Sequence, residues 1–124
     1  MVATLDQYPQ RDGLYTISPQ GVIAHNRYEN RVIKLDALSS EIWLRADGKT
    51  SLREIVADIA GISAVPVATL LTTASMLVTL LNSEGVLYQK NHPTDLPYHL
   101  QLPQEDQDLN QMRASMAAAG WLDE

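Results

Sequence analysis

Between Arg31 and Ala60 the stretch "RVIKLDALSSEIWLRADGKTSLREIVADIA" changes its apolar period from two to about 3.6, and each junction carries an end signal. In "RVIKLD", Ile33 and Leu35 fall on one side and Val32 and Lys34 on the other, the alternation of a short strand. Asp36 follows, and its carboxylate can accept from the orphan N–H groups of a helix starting at Ala37. Leu38, Ile42, Trp43 and Ala46 then make one apolar stripe, and Asp47-Gly48 ends it, because glycine tolerates the left-handed conformation there. Ser51 and Glu54 have the spacing of a capping box. The helix they open places Leu52, Ile55, Val56, Ile59 and Ala60 on one face and Arg53, Ala57 and Asp58 on the other.

This stretch is flanked by weaker signals of the same kind. "GLYTISPQGVIAHN" alternates on both sides of Ser18-Pro19-Gln20-Gly21, with Pro second and Gly fourth in a type I turn, so it predicts a hairpin. Pro66 is expected as the first residue of a third helix that runs to about Ser83 and stops at Gly85, with Val86 to Tyr88 as a last short strand or wing. From Gln89 to Gln104 three prolines and no helical period predict a linker, on the surface or disordered. Beyond it Glu105 to Ala119 can form a helix with a thin stripe of Leu109, Met112 and Met116, which is marginal alone.

The third helix raises the functional question. Val67, Leu70, Leu71, Ala74, Leu77, Val78 and Leu81 form the stripe expected to face a core, yet no charged residue occurs from Ile59 to Ser83. The opposite face is Thr69, Thr72, Thr73, Met76, Thr79 and Leu80, where a solvated helix would carry charge. Three explanations compete. A membrane span needs about 20 mostly apolar residues, and this helix is short, Thr-rich and set among amphipathic elements. The face could instead be covered by the tail helix or by a second copy of the chain. The third explanation is a peptide groove, with Thr69, Thr73, Met76 and Leu80 as a lateral stripe beside an edge strand Arg31, Val32, Ile33, Lys34 and Leu35 whose free N–H and C=O groups accept an added strand. Arg27, Arg31 and Lys34 would favour an acidic peptide there, or be solvated charges only.

Composition narrows the classes. The 124 residues suffice for one modest core, and a formal net charge of -6 repels polyphosphate and anionic membrane surfaces. A DNA-reading helix needs cations and amides reaching bases and phosphates, whereas this one offers Thr and Leu. With no Cys, disulfides, thiolate nucleophiles and iron–sulfur ligation are excluded. His25, His92 and His99 lack metal-ligand spacing, and no paired-carboxylate or Gly-rich phosphate signature stands out, so no catalytic residue, metal site or cofactor is expected. "MVATLDQYPQ" has neither a basic start nor an apolar run, which makes a signal peptide unexpected and the cytoplasm the default.

Three short strands, then "KLDALSSEIWLRADGKTSLREIVADIA", then a helix closing on "LLNSEGVLY" resemble the PqqD-like family, the RiPP recognition elements. The likeness covers about residues 14–88 and rests on Leu35, Ser39, Ile42-Trp43, Asp47-Gly48, Glu54-Ile55-Val56 and Leu80-Leu81 with Gly85-Val86-Leu87, in that order. It implies an α+β fold: a small three-stranded antiparallel sheet plus a winged helix-turn-helix unit of three helices, here followed by a C-terminal linker and helix. The division expected is an N-terminal segment 1–13, a peptide-binding domain 14–88, a linker 89–104 and a helical tail 105–124. The resemblance further implies a non-catalytic chaperone for the leader of a ribosomally made precursor peptide, delivering it to a modifying enzyme such as a radical S-adenosylmethionine maturase. The leader would add a strand along Arg31 to Leu35 and lie on Thr69, Thr73, Met76 and Leu80. Asp36 stands where the family often has Asn, which preserves capping, and the tail has no counterpart in the minimal domain. The rival readings are a winged-helix DNA-binding regulator and an assembly module that dimerises without a peptide ligand; neither nucleic acid nor membrane is an expected partner.

Overall fold

The computed structural model describes residues 3–26 and 31–121. The hairpin forms as expected, from β2 (Tyr15–Ser18) and β3 (Gly21–Asn26), with Ser18 paired to Gly21. Gly21 has φ +143°, and a Cβ there would lie 2.6 Å from the Leu35 carbonyl oxygen and 2.7 Å from Ser40 Oγ, so the turn accepts only glycine without rearrangement. β4 (Arg31–Lys34) pairs antiparallel with β3, giving a three-stranded sheet in the order β2-β3-β4. Val22, Ala24 and Asn26 alternate inward along β3 with half-buried Ile23 and His25.

Three helices close the other side of the core. In α1 (Ala37–Arg45) the Asp36 carboxylate accepts from Ser39 N at 2.8 Å, and in α2 (Leu52–Ile62) Ser51 and Glu54 form the reciprocal capping box. α3 (Val67–Ser83) starts one residue later than expected, because Pro66 has extended ψ 146° and serves as N-cap. Ile42, Trp43, Leu52, Ile55, Val56, Leu70, Ala74, Val78 and Leu81 meet Tyr15, Val22 and Ala24 in one core, with Leu38, Leu71 and Leu77 packed at its margin. Val67, assigned to the core stripe from its spacing, is instead 49% exposed, since it lies in the first turn beyond the end of the packed interface.

Two features depart from the expected strand–helix plan. First, a strand β1 (Tyr8–Arg11) lies in what reads as a polar N-terminal segment, and it pairs antiparallel with β5 (Leu87–Lys90), making the wing two-stranded. β1 also bonds the turn after α1, through Arg11 N to Ala46 O at 3.0 Å and Gly48 N to Pro9 O at 3.0 Å. Second, the Pro-rich stretch is neither extended nor superficial throughout: α4 (Tyr98–Gln101) forms within it, and Leu96, His99 and Leu100 are buried. The tail helix α5 (Leu109–Ala118) is shorter than expected because Asp108 caps it, its carboxylate accepting from Gln111 N at 2.9 Å, while Gln104–Asp106 make a separate 3-10 turn.

Arg11, which is 5% exposed, ties the C-terminal segment to the body of the protein. Its guanidinium donates to the carbonyls of Leu44 (3.1 Å) and Trp43 (3.3 Å) at the end of α1, and to those of Leu100 (2.9 Å) and Gln101 (3.0 Å) at the end of α4. Helix C-termini present unsatisfied carbonyls and the negative end of the macrodipole, so one cation serves two of them. Burial pushes the Arg11 pKa down, opposed by the neighbouring Tyr15 and Asp47. An arginine nonetheless stays protonated at any working pH. No helix among the described residues is long and apolar enough to cross a membrane.

Candidate functional site

β4 is the last strand of its sheet, and its backbone direction follows from the register. Leu35 N donates to Val22 O at 2.9 Å, so residues of the same parity, Ile33 and Arg31, turn their N–H and C=O groups toward β3. Val32 and Lys34 therefore direct theirs away from the sheet, and among the described residues no strand pairs with that side. The strand is exposed at Arg31, Val32 and Lys34 and half-buried at Ile33.

Beside this edge runs a groove of about 230 Å³ between β4 and the C-terminal half of α3. Ile33, Lys34 and Leu35 line one wall, and Leu77, Leu80 and Leu81 the other. Asp36, Ser39 and Glu84 complete its lining. Leu80 is 55% exposed, so an apolar side chain stands open to solvent next to unpaired backbone groups.

The structure thus brings Ile33, Lys34, Leu35 and Leu80 together and leaves other expected site residues apart from this groove. Met76 is 68% exposed one turn before Leu80 and is not part of the lining. Thr69, exposed, and Thr73, half-buried, lie farther along the same stripe, Thr69 about 16 Å from Leu80 at 1.5 Å rise per residue. Val32 and Arg31 instead line a second recess on the opposite face of the sheet. Arg27 lies outside the described residues. Arg31 forms an ion pair with Glu84, which engages the charge expected to attract an acidic peptide, and Lys34 is exposed on the same edge.

Sequence reasoning missed Leu77, Leu81 and Glu84 as lining because it placed the first two wholly in the core and gave the third no role. Leu77 is only half-buried and Leu81 is its i+4 neighbour, so a stripe wider than one core contact was the available signal.

A family model described as coenzyme PQQ synthesis protein D (PqqD) matches residues 14–87, more than half of the chain. The chain belongs to the PqqD family. Membership gives it a peptide-binding recognition role as an accessory protein. The match begins just before β2 and ends at the first residue of β5, so it spans both walls of the groove and excludes β1 and the tail. No curated protein and no solved structure matches the chain.

Proposed function

We propose that this PqqD-family chain captures the leader of a ribosomally synthesised precursor peptide as an added strand on β4 and presents it to a modifying enzyme, a radical S-adenosylmethionine maturase being the partner that fits the family. In this reading the recognition unit is 14–88, flanked by 1–13, 89–104 and 105–124, the chemistry belongs to the partner enzyme, and the setting is cytoplasmic. The observation that carries it is the open backbone edge of β4 running beside the Leu77–Leu80–Leu81 wall. Strand addition supplies backbone hydrogen bonds worth about 0.5–1.5 kcal/mol each, and alternate side chains of the guest entering the groove supply selectivity.

The face of α3 offered to a ligand is built from Thr, Met and Leu, which gives a DNA phosphate no cation to meet. Calorimetric titration with precursor leader peptides tests the proposal. Leu80→Glu places a charge in an apolar groove and is expected to abolish measurable binding, Met76→Glu, one turn away, to weaken it less, and Thr69→Glu least. Equal affinity of all three with the parent chain would remove the site from this groove.

A further inference from the structure

The second recess lies on the other face of the same edge. Leu14, just before β2, His25 of β3 and Val32 of β4 form a row: His25 is paired with Val32, and His25 N donates to Leu14 O at 2.8 Å. Cross-strand neighbours in such a row share a face. Met116 and Trp121, from the tail, stand with this row and with Asn26 and Arg31 around a recess of about 330 Å³. That is the bottom of the roughly 300–1,000 Å³ range of pockets that take a whole small molecule, and it suits a single side chain.

The tail wall is held in place rather than draped. Gly120, at φ +79°, ends α5 in a Schellman arrangement, with Trp121 N donating to Met116 O at 2.8 Å and Gly120 N to Ala117 O at 3.1 Å. The Trp121 ring meets the buried His99 ring edge-on at 4.4 Å between centroids, and His99 Nδ1 shares a 2.7 Å hydrogen bond with Ser115 Oγ. His99 in turn sits in α4, which Arg11 anchors to the body of the protein. An indole fixed by a helix cap, a ring contact and a buried arginine is preorganised for a ligand.

Resting on the strand-addition reading above, we propose that Met116 and Trp121 make the tail part of the peptide site, supplying an outer pocket for one large apolar or aromatic side chain of the guest. Register dictates which one. A guest residue opposite Val32 shares the face of Val32 and enters the outer pocket, while its neighbours, opposite Arg31 and Ile33, turn to the α3 side. The bound peptide is therefore read on both faces of the added strand, with a bulky residue interleaved between those that enter the α3 groove. Arg31 and Val32 belong to both the open edge and the recess, which makes the two surfaces continuous.

The test is a display selection of short random peptides, run in parallel on the immobilised full chain, on Trp121→Ala and on Met116→Trp, which fills the recess with the tail still docked. All three are expected to enrich apolar residues at alternate positions, and only the parent to enrich an aromatic residue between them. The consensus peptide from the parent should bind Trp121→Ala roughly tenfold to a hundredfold more weakly, the loss expected for one buried apolar side chain. Alternating peptides from the parent with no interleaved preference, or the same preference in Met116→Trp, would overturn the outer pocket alone. Recovery of no alternating peptide from any chain would overturn strand addition and the pocket together. A dimer in light scattering that dissociates on Trp121→Ala would give the recess to a second copy and overturn the peptide assignment.

Discussion

The two edges of the three-stranded sheet receive opposite treatment. On β2, the parity set by the His25–Leu14 bond turns Ile17 outward, and its N–H meets the Glu105 carboxylate at 3.4 Å, while Tyr15 lies under the tail with its hydroxyl 3.5 Å from the Gln101 carbonyl. On β4, the equivalent outward groups of Val32 and Lys34 meet no strand among the described residues, and Lys34 lines the α3 groove. A small sheet with two free edges invites uncontrolled pairing. With one edge covered and the other left beside an apolar wall, only β4 offers this sheet an open edge among the described residues. The tail that covers β2 lies almost wholly outside the family match, so this division of labour is a property of the chain beyond the shared domain.

The largest effect expected is at the anchor of the covered edge. Arg11→Met takes the charged donor away from the carbonyls of two helix ends and should lower the unfolding free energy in urea by about 3 kcal/mol or more, since hydrogen bonds to a charged group contribute about 1.5–3 kcal/mol each and several buried carbonyls lose their partner at once. A loss below about 1 kcal/mol would mean that the tail does not depend on it. Next comes a matched pair of prolines. Val32→Pro deletes an outward donor and should weaken leader binding by about tenfold or more at little cost in stability, whereas Ile17→Pro deletes the outward donor of the other edge and should leave binding unchanged. Equal effects from the two would erase the distinction between the edges.

A smaller effect concerns pH. Burial raises the Tyr15 pKa above its ordinary value of 10.0, with Arg11 opposing the shift. The folded protein then keeps the phenolic proton at a pH where the unfolded chain has released it, so this group's contribution is intact below pH about 10 and is lost as pH rises from there through the folded value. Alkaline unfolding of the parent and of Tyr15→Phe should diverge only above that point, and superimposable profiles would contradict a buried phenol beneath the tail. Smallest of all, Glu105→Ala removes one exposed acceptor and should cost at most about 0.5 kcal/mol. Its readout is faster hydrogen exchange at the Ile17 amide with leader affinity unchanged; slow exchange in the variant would show that another group covers that edge.

The candidate site was half legible in the chain. Val32 and Lys34 read as one side of a strand, and Leu80 as an apolar residue on a helix face without charge, because period and composition are local properties. That β4 ends the sheet, and that it meets the C-terminal rather than the N-terminal half of α3, are relations between distant segments. The Thr69–Met76 part of the stripe therefore read as groove with the same warrant as Leu80 and lies off its lining.

The sequence alone determined the caps at Asp36 and Ser51, the hairpin turn at Gly21, the apolar stripes of α1 to α3 and the uncharged face, since each depends on residues within one or two turns of each other. Tertiary structure alone decided that "YPQR" becomes a strand, that a Pro-rich stretch folds over β2, and that Trp121 returns to Val32. The physical reason is that these segments are held by polar groups and single contacts whose partners lie far away in the chain. Arg11 is an ordinary surface cation until the carbonyl ends of α1 and α4 arrive around it.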